Sequence, residues 1–153
     1  MVSEDLKQEF DKEVQRLKYQ KVRMTPQRLE ILAYMMSHTN HPTAEEVFND
    51  LKTRTSNISI ATVYNNLRFL ATITPIDELT YDDRSIHFDY YHHEHFHAIC
   101  TKCGKIYDVN YSDYPLLHRH LKQESGFEIS KINLNIQGIC KKCQKGVAKE
   151  EKS

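Results

Sequence analysis

The chain has 153 residues, 39% hydrophobic and 27% charged, a composition typical of a globular protein with one large or two small domains and not of a disordered chain. It has no apolar run near the roughly 20 residues needed to cross a bilayer, and residues 1–12 are too polar and acidic for a secretory signal. We therefore expect a cytoplasmic protein that does not enter the membrane. The 21 basic and 21 acidic residues cancel, which excludes a protein coated in positive charge.

Charge is nonetheless unevenly distributed along the chain. Residues 16–29 contain five cations and no acid, and residues 51–76 contain three cations and no acid. Residues 77–94 contain six acids against Arg84 alone. This order indicates an anion-binding face in the first half and a cation site near the middle, although solvated helix faces would give the same counts.

The first half of the chain has the periodicity of short helices. Apolar residues recur at helical spacing from Leu6 to Leu17, and further stripes follow three helix start signals. Short helices with narrow apolar stripes and short connections are typical of a helix-turn-helix domain. The start signals are Thr25 followed by Pro26, a capping box of Thr43 with Glu46, and Ser59.

The apolar period then changes to two, which predicts a β-hairpin. Leu79 and Tyr81 alternate with polar residues, residues 82–85 form a turn, and Ile86, Phe88 and Tyr90 alternate back. A hairpin directly after a helix-turn-helix is a wing. Residues 1–88 are therefore predicted to form a winged-helix DNA-binding domain.

The second half is predicted to be a small α/β unit, which makes the fold class α+β. We expect a short strand at Ile106 and Tyr107, and a helix that Asp113 caps and Gly126 ends. A long strand over residues 127–136 follows, with a bulge near Ser130 where the alternation slips. Residues 89–153 contain few large apolar side chains, so this domain needs a cross-link, such as a structural metal, or a partner chain to be stable.

All four cysteines lie in two Cys-x-x-Cys pairs, which indicates a structural zinc site. Cys100 and Cys103 form one pair, Cys140 and Cys143 the other, with 36 residues between the pairs. Two such pairs supply the tetrahedral four-sulfur shell of closed zinc sites, and Gly104 suits the turn after the first pair. Two disulfides or free thiols are the alternative, which a reducing cytosol disfavours.

A second cluster combines histidines with carboxylates. Five of the nine histidines lie between residues 87 and 97, directly before the first cysteine pair. In an extended segment, His95 and His97 point to the same side, and Asp89 and Asp108 lie in or beside predicted strands. Imidazole with carboxylate suits Mn(II) or Fe(II). His92 and His93 are further candidate ligands, or residues of a loop.

These residues together resemble the ferric uptake regulator family over nearly the whole chain. The resemblance implies a winged-helix domain, a dimerisation domain, a regulatory ion between the two, and hence a homodimer that binds double-stranded operator DNA. The motifs that carry it are Arg23-Met24-Thr25-Pro26-Gln27-Arg28, His41-Pro42-Thr43-Ala44, Ile60-Ala61-Thr62-Val63-Tyr64-Asn65-Asn66-Leu67, His95-Phe96-His97-Ala98-Ile99-Cys100-Thr101-Lys102-Cys103-Gly104-Lys105 and Gly138-Ile139-Cys140-Lys141-Lys142-Cys143.

Within that family, the peroxide-responsive repressors use a regulatory site of three histidines and two aspartates. The matching positions here are His41, Asp89, His95, His97 and Asp108. The resemblance implies that Fe(II) or Mn(II) occupies this site. It also implies that peroxide oxidises His41 or His95 beside bound iron.

The resemblance also implies which residues bind DNA. The helix that begins after Ser59 would enter the major groove, with asparagines near base edges and cations on phosphates. The predicted DNA-binding residues are Lys21, Arg23, Arg28, Lys52, Ser59, Thr62, Tyr64, Asn65, Asn66 and Arg68.

Two alternatives remain open beside a peroxide-sensing repressor. An iron- or zinc-responsive uptake regulator of the same family would have the same domains without peroxide sensing. A small non-haem iron enzyme would use two histidines and a carboxylate with open positions. Five candidate ligands leave little room for a substrate, and an enzyme would leave the helix-turn-helix unexplained, so we expect a protein that is not an enzyme.

Overall fold

The computed structural model describes residues 3–80 and 85–150. The chain divides into two compact units, Met1–His92 and His93–Ser153. Asp89, expected at the start of the second domain, thus lies within the first unit. Among the described residues, no helix has both the length and the apolar character required to span a bilayer.

Four helices make up most of the first unit. Three of them begin at the predicted residues. The Thr25 and Ser59 side chains accept hydrogen bonds from the amides of Arg28 and Thr62, and Thr43 forms a complete capping box with Glu46. Each cap satisfies amides that the helix itself leaves unpaired, a stabilisation of about 1 kcal/mol. The helices are α1 (Glu4–Tyr19), α2 (Pro26–Ser37), α3 (Ala44–Leu51) and α4 (Ile60–Ala71).

The apolar stripes of these helices meet in one core. Full burial of such a side chain contributes roughly 1.5–3 kcal/mol, so this core is a large stabilising contribution that α1 to α4 share. Phe88, from the hairpin, is also fully buried, which fixes the hairpin on the helices. The fully buried residues of this core include Leu17, Ile31, Leu32, Met35, Val47, Leu51, Val63, Leu67 and Leu70.

The predicted wing is present as two antiparallel strands, β1 (Ile76–Leu79) and β2 (His87–Tyr90). Ile76 pairs with Tyr90 and Leu79 with His87. The predicted turn at residues 82–85, together with Tyr81, lies outside the described residues except for Ser85.

The second unit contains β3 (Phe96–Cys100), β4 (Ile106–Val109), α5 (Tyr114–Ser125), β5 (Asn135–Gly138) and α6 (Lys141–Glu150). Within the described part of the chain its sheet has the order β4-β3-β5, with β3 antiparallel to β4 and parallel to β5. Gly126 ends α5 in the left-handed conformation, as predicted. Asp113 occupies the N-cap position, but its side chain makes no capping hydrogen bond.

The predicted long strand over residues 127–136 is wrong. Only Asn135–Gly138 is a strand, and the described residues 127–134 form none. A strand needs a neighbour for its backbone groups, and β3 offers β5 a register of four residues, from His97 opposite Asn135 to Cys100 opposite Gly138. The apolar alternation is real, yet Phe127 and Leu134 are exposed within this chain.

Candidate metal centres and DNA-binding face

The two cysteine pairs come together in the second unit. Cys100 is the last residue of β3, and Cys140 immediately precedes α6, whose first turn contains Cys143. The parallel pairing of β3 with β5 sets Cys100 opposite Gly138 and so brings the second pair beside the first. The four sulfur atoms all lie within 4.8 Å of one another.

This geometry fits a tetrahedral zinc ion. Four sulfurs at about 2.3 Å from zinc lie about 3.8 Å apart, and Cys103 Sγ is 3.9 Å from Cys140 Sγ. That separation is far beyond the roughly 2.05 Å of a disulfide, and all four cysteines are free thiols. Gly104 has a φ of 75°, and its amide donates to the Cys100 carbonyl, which closes the turn after the first pair.

The surroundings of the thiols favour their anionic form at two positions. The amides of Cys140 and Cys103 both donate to Cys100 Sγ at 3.4 Å, and these bonds lower the pKa of the Cys100 thiol to about 6. The backbone amide of Cys143 and the Tyr107 hydroxyl lower the pKa of Cys140. Thiolates at Cys100 and Cys140 suit a divalent cation, which binds the thiolate and not the thiol.

Two further groups complete the electrostatics of this cluster. A hydrogen bond with the Cys140 sulfur raises the pKa of Cys143 to about 12. A hydrogen bond to the same sulfur raises the pKa of Tyr107 to about 12. From the sequence, Tyr107 is expected only to occupy a strand position, because its proximity to Cys140 depends on how β4 and β5 flank β3.

A second cluster in the same unit consists of His95, His97 and Asp108. His97 lies opposite Asp108 in the β3–β4 pairing. The Nε2 atoms of His95 and His97 are 3.1 Å apart, and Asp108 Oδ1 lies 3.5 Å and 3.7 Å from them. Donor atoms around an octahedral ion at about 2.1 Å would be about 3.0 Å apart, so these three converge closely enough to hold one ion.

The orientation of His95 is set by its other ring nitrogen. His95 Nδ1 lies 2.8 Å from the His93 carbonyl oxygen, which can only accept a hydrogen bond. The ring proton is therefore on Nδ1, and Nε2 has its lone pair directed at the cluster. This arrangement is the usual one for a metal-ligating imidazole.

The first unit contains a separate pair of candidate ligands, His41 and Asp89. His41 Nε2 lies 3.8 Å from Asp89 Oδ1, and the two residues are only 6% and 3% exposed. Burial of a carboxylate is costly unless a cation or a hydrogen-bond donor compensates it. A buried imidazole–carboxylate pair is a suitable donor set for Mn(II), Fe(II) or Zn(II).

The rings of the two additional candidate ligands have hydrogen-bonding partners of their own. His92 Nε2 is 2.9 Å from the Met36 carbonyl oxygen, and Nδ1 is 3.5 Å from a Glu9 carboxylate oxygen. His93 Nε2 is 3.3 Å from Asn110 Oδ1, and its carbonyl accepts from His95. Both therefore have other partners.

The predicted DNA-binding residues divide into two groups by exposure. Arg28, Thr62, Tyr64 and Asn66 are half-buried. The Arg68 guanidinium lies 3.4 Å from a Glu78 carboxylate oxygen in an exposed ion pair, which is weak and easily exchanged for a phosphate. The exposed residues are Lys21, Arg23, Lys52, Ser59, Asn65 and Arg68.

Arg28 and Asn66 connect α2 to α4. Arg28 Nε donates to Asn66 Oδ1 at 2.9 Å, Nη1 donates to the Arg23 carbonyl at 2.7 Å, and the guanidinium lies 4.1 Å from the Phe69 ring centre. Asn66 Nδ2 donates to the Thr62 carbonyl. These bonds orient α4. Asn66 is held in them, whereas the adjacent Asn65 is exposed.

Comparison with known proteins gives consistent similarities. The model of the ferric uptake regulator family matches residues 19–137. The peroxide-responsive repressor PerR of Staphylococcus aureus is 40% identical over 141 residues, which cover 92% of this chain and 95% of that protein.

Solved structures give the same result. The Campylobacter jejuni peroxide stress regulator is 34% identical with a TM-score of 0.69, over 85% of this chain and 98% of that one. PerR from Streptococcus pyogenes is 31% identical with a TM-score of 0.51, over 88% and 92%. The Helicobacter pylori ferric uptake regulator, 22% identical with a TM-score of 0.75 over 91% and 93%, shares the fold.

Proposed function

Because this chain belongs to the ferric uptake regulator family, we propose that it is a metal-dependent, DNA-binding transcription repressor that senses peroxide at a regulatory iron. The observation that carries the proposal is the separation of two donor sets. All four cysteines belong to one sulfur cluster, while the other cluster residues supply only imidazole and carboxylate. The cysteines then serve structure, and the histidines are left for sensing.

The sulfur cluster holds one structural zinc per chain. Cys100, Cys103, Cys140 and Cys143 are its ligands, and the lowered pKa of Cys100 favours the deprotonated form that zinc binding requires. The ion ties the end of β3 to the start of α6.

The regulatory ion is bound by His41 and Asp89 from the first unit and by His95, His97 and Asp108 from the second. The family resemblance supports the five-ligand set, and the convergence within each unit supports its two parts. An ion with ligands from both units favours one arrangement of them. If that arrangement is the one that fits DNA, metal and DNA each raise the affinity for the other.

The helix α4 is the recognition helix of this repressor. Asn65 is exposed on it, and asparagine pairs bidentately with adenine in the major groove. Arg68 follows one turn later and would contact phosphate, as would Lys21, Arg23 and Lys52. Arg28 and Asn66 orient the helix, with Thr62 and Tyr64 beside them.

We expect Asn65→Ala and Arg68→Ala to weaken DNA binding in different ways. Asn65→Ala should reduce the preference for specific over random duplex by about 1–3 kcal/mol, because one base contact is lost. Arg68→Ala should weaken both duplexes alike and reduce the salt slope by about one. Fluorescence anisotropy of manganese-loaded protein across a salt series measures both effects.

The control is Lys12→Ala, which removes an exposed cation from α1 outside the predicted interface. It should leave both affinities unchanged. Equal binding of specific and random DNA by the wild-type protein would contradict the repressor function.

The second unit is the homodimerisation unit. Most of the exposed large apolar residues of the described chain belong to it, and α5 contains no buried residue among those described. A partner copy would cover this surface. The exposed residues are Tyr111, Leu116, Phe127, Leu134, Ile136 and Ile139.

Phe127→Asp should convert the dimer into a monomer. Phe127 is 72% exposed in the single chain, so the substitution costs the isolated fold little but places a charge in the proposed interface. Sedimentation of the zinc-loaded protein measures the change. Tyr19→Asp, at a 90% exposed aromatic residue of α1, should remain dimeric, and a dimeric Phe127→Asp would contradict this assignment.

Peroxide sensing is a net oxygen transfer to a ligand imidazole. His41, Asp89, His95, His97 and Asp108 would hold Fe(II), which would supply the redox chemistry that activates peroxide beside the ring. In the net reaction, a ring C–H of His41 or His95 gains one oxygen atom and loses two electrons, and the second peroxide oxygen leaves as water. The oxidised ring no longer ligates well, so the regulatory site is lost and the repressor leaves DNA.

An iron- or zinc-responsive regulator without peroxide sensing is the alternative within the family. It shares the metal-dependent DNA binding and differs in the fate of the histidines under peroxide.

A further inference from the structure

His41 has a backbone conformation that few residues adopt. Its φ is 54°, in the left-handed region, and Pro42 follows it. Residues other than glycine are uncommon there, and a residue before proline is restricted further. Such a conformation persists only where neighbouring groups hold it in place, and the direction of the His41 side chain depends on it.

The neighbouring groups that hold it belong to β2. His87 Nδ1 donates to the His41 carbonyl oxygen at 2.6 Å, and the amide of Phe88 donates to the Pro42 carbonyl at 2.9 Å. An isolated bridge also joins Thr43 to His87. The segment from His41 to Thr43 is therefore hydrogen-bonded along β2. The same strand contains Asp89, two residues after His87.

We propose that His87 is a positioning residue for the regulatory metal, which acts by fixing the left-handed backbone of His41 so that its imidazole faces Asp89. His87 itself is not one of the proposed ligands: its Nδ1 donates to the His41 carbonyl, and the grouped metal-donor residues do not include it. The proposal rests on the proposed regulatory site and extends it to a residue outside the ligand set. The bond lies wholly within the first unit.

The test compares His87→Leu with His87→Asn in the full-length zinc-loaded protein. Leucine removes the donor and keeps the backbone bond between Phe88 and Pro42. Asparagine retains an N–H donor at the δ position. Mn(II) affinity, measured by competition with a fluorescent chelator, should fall about tenfold in His87→Leu and stay near the wild-type value in His87→Asn. Zinc content and the melting temperature should be unchanged in both variants.

His38→Leu is the matched control. His38 lies three residues before His41, and its Nδ1 also contacts a backbone carbonyl oxygen, that of Tyr34, at 2.8 Å. It should bind Mn(II) like the wild-type protein. Equal losses in His38→Leu and His87→Leu, or no loss in His87→Leu, would overturn the proposal.

Two further outcomes separate this inference from the proposed function. If His41→Ala binds Mn(II) as well as the wild-type protein, the regulatory site itself is wrong. If His41→Ala loses the metal while His87→Leu keeps it, only the positioning role fails.

Should His87→Leu not fold, nitrogen NMR of the wild-type protein with a second equivalent of Zn(II) decides. The proton of His87 must be on Nδ1, because a carbonyl oxygen only accepts hydrogen bonds. A neutral His87 ring protonated at Nε2 would overturn the proposal.

Discussion

Replacing Cys140 by serine will remove the zinc, unfold the second unit and abolish dimerisation. Among the described residues of this unit, the buried hydrophobic side chains are Phe96, Ile99 and Cys100. Three side chains, at roughly 1.5–3 kcal/mol each when fully buried, are a small core for a unit of this size. Structural zinc supplies about 10–16 kcal/mol in small domains, which is more than this core contributes.

The first unit should stay folded after this substitution, because its apolar core is formed entirely by residues of α1 to α4 and the hairpin. We therefore expect helical circular dichroism to be largely retained, while zinc content falls to zero and sedimentation shows a monomer. Lys102→Ala, at an exposed position between Cys100 and Cys103, should retain the zinc and remain dimeric. A stable Cys140→Ser dimer with the wild-type melting temperature would contradict the structural role of zinc.

The features predicted correctly from the sequence depend on local chemistry. Thr25, Thr43 and Ser59 cap helices because each oxygen reaches an amide three residues along the same chain. Gly126 ends α5 because a left-handed conformation strongly favours glycine. Each Cys-x-x-Cys pair is likewise a local turn, whereas the parallel pairing of β3 with β5 brings the two pairs together.

The features that were wrong or missed depend on which strands are neighbours. Residues 127–134 alternate like a strand but have no strand beside them in the described chain. Tyr107 contacts Cys140, and His87 the carbonyl of His41, through pairings between distant segments. Sequence spacing contains no signal for such contacts. Asp89, His95, His97 and Asp108 are candidate ligands from their residue types and strand positions, and the family resemblance adds His41.

The last prediction concerns the regulatory metal. Hard carboxylates keep the site weakly selective between Mn(II) and Fe(II), so the metal supplied decides the chemistry. Both forms should bind operator DNA. On brief exposure to peroxide, the iron protein should lose DNA affinity by a factor within about 5–150, the usual range of coupling between two sites. The manganese protein should keep its affinity, because Mn(II) in a nitrogen and oxygen site is harder to oxidise.

Removal of a ligand should have the same consequence without peroxide. His41→Ala removes a ligand from the first unit, and Asp108→Ala removes a charged ligand from the second. Both variants should lose metal-dependent DNA binding and retain their zinc, because neither residue belongs to the sulfur cluster. Loss of zinc in either variant would indicate a folding defect in place of a vacant regulatory site.

Peptide mass spectrometry of the iron-loaded protein identifies the sensor. One oxygen atom should be gained on a peptide that contains His41 or His95, in step with the loss of DNA binding. The manganese-loaded protein is the control and should show no such gain. The cysteine peptides should remain unmodified over the same interval, because zinc holds all four thiolates. Oxidation confined to the cysteines, with both histidines intact, would exclude the histidine sensor and leave a regulator that responds to metal alone.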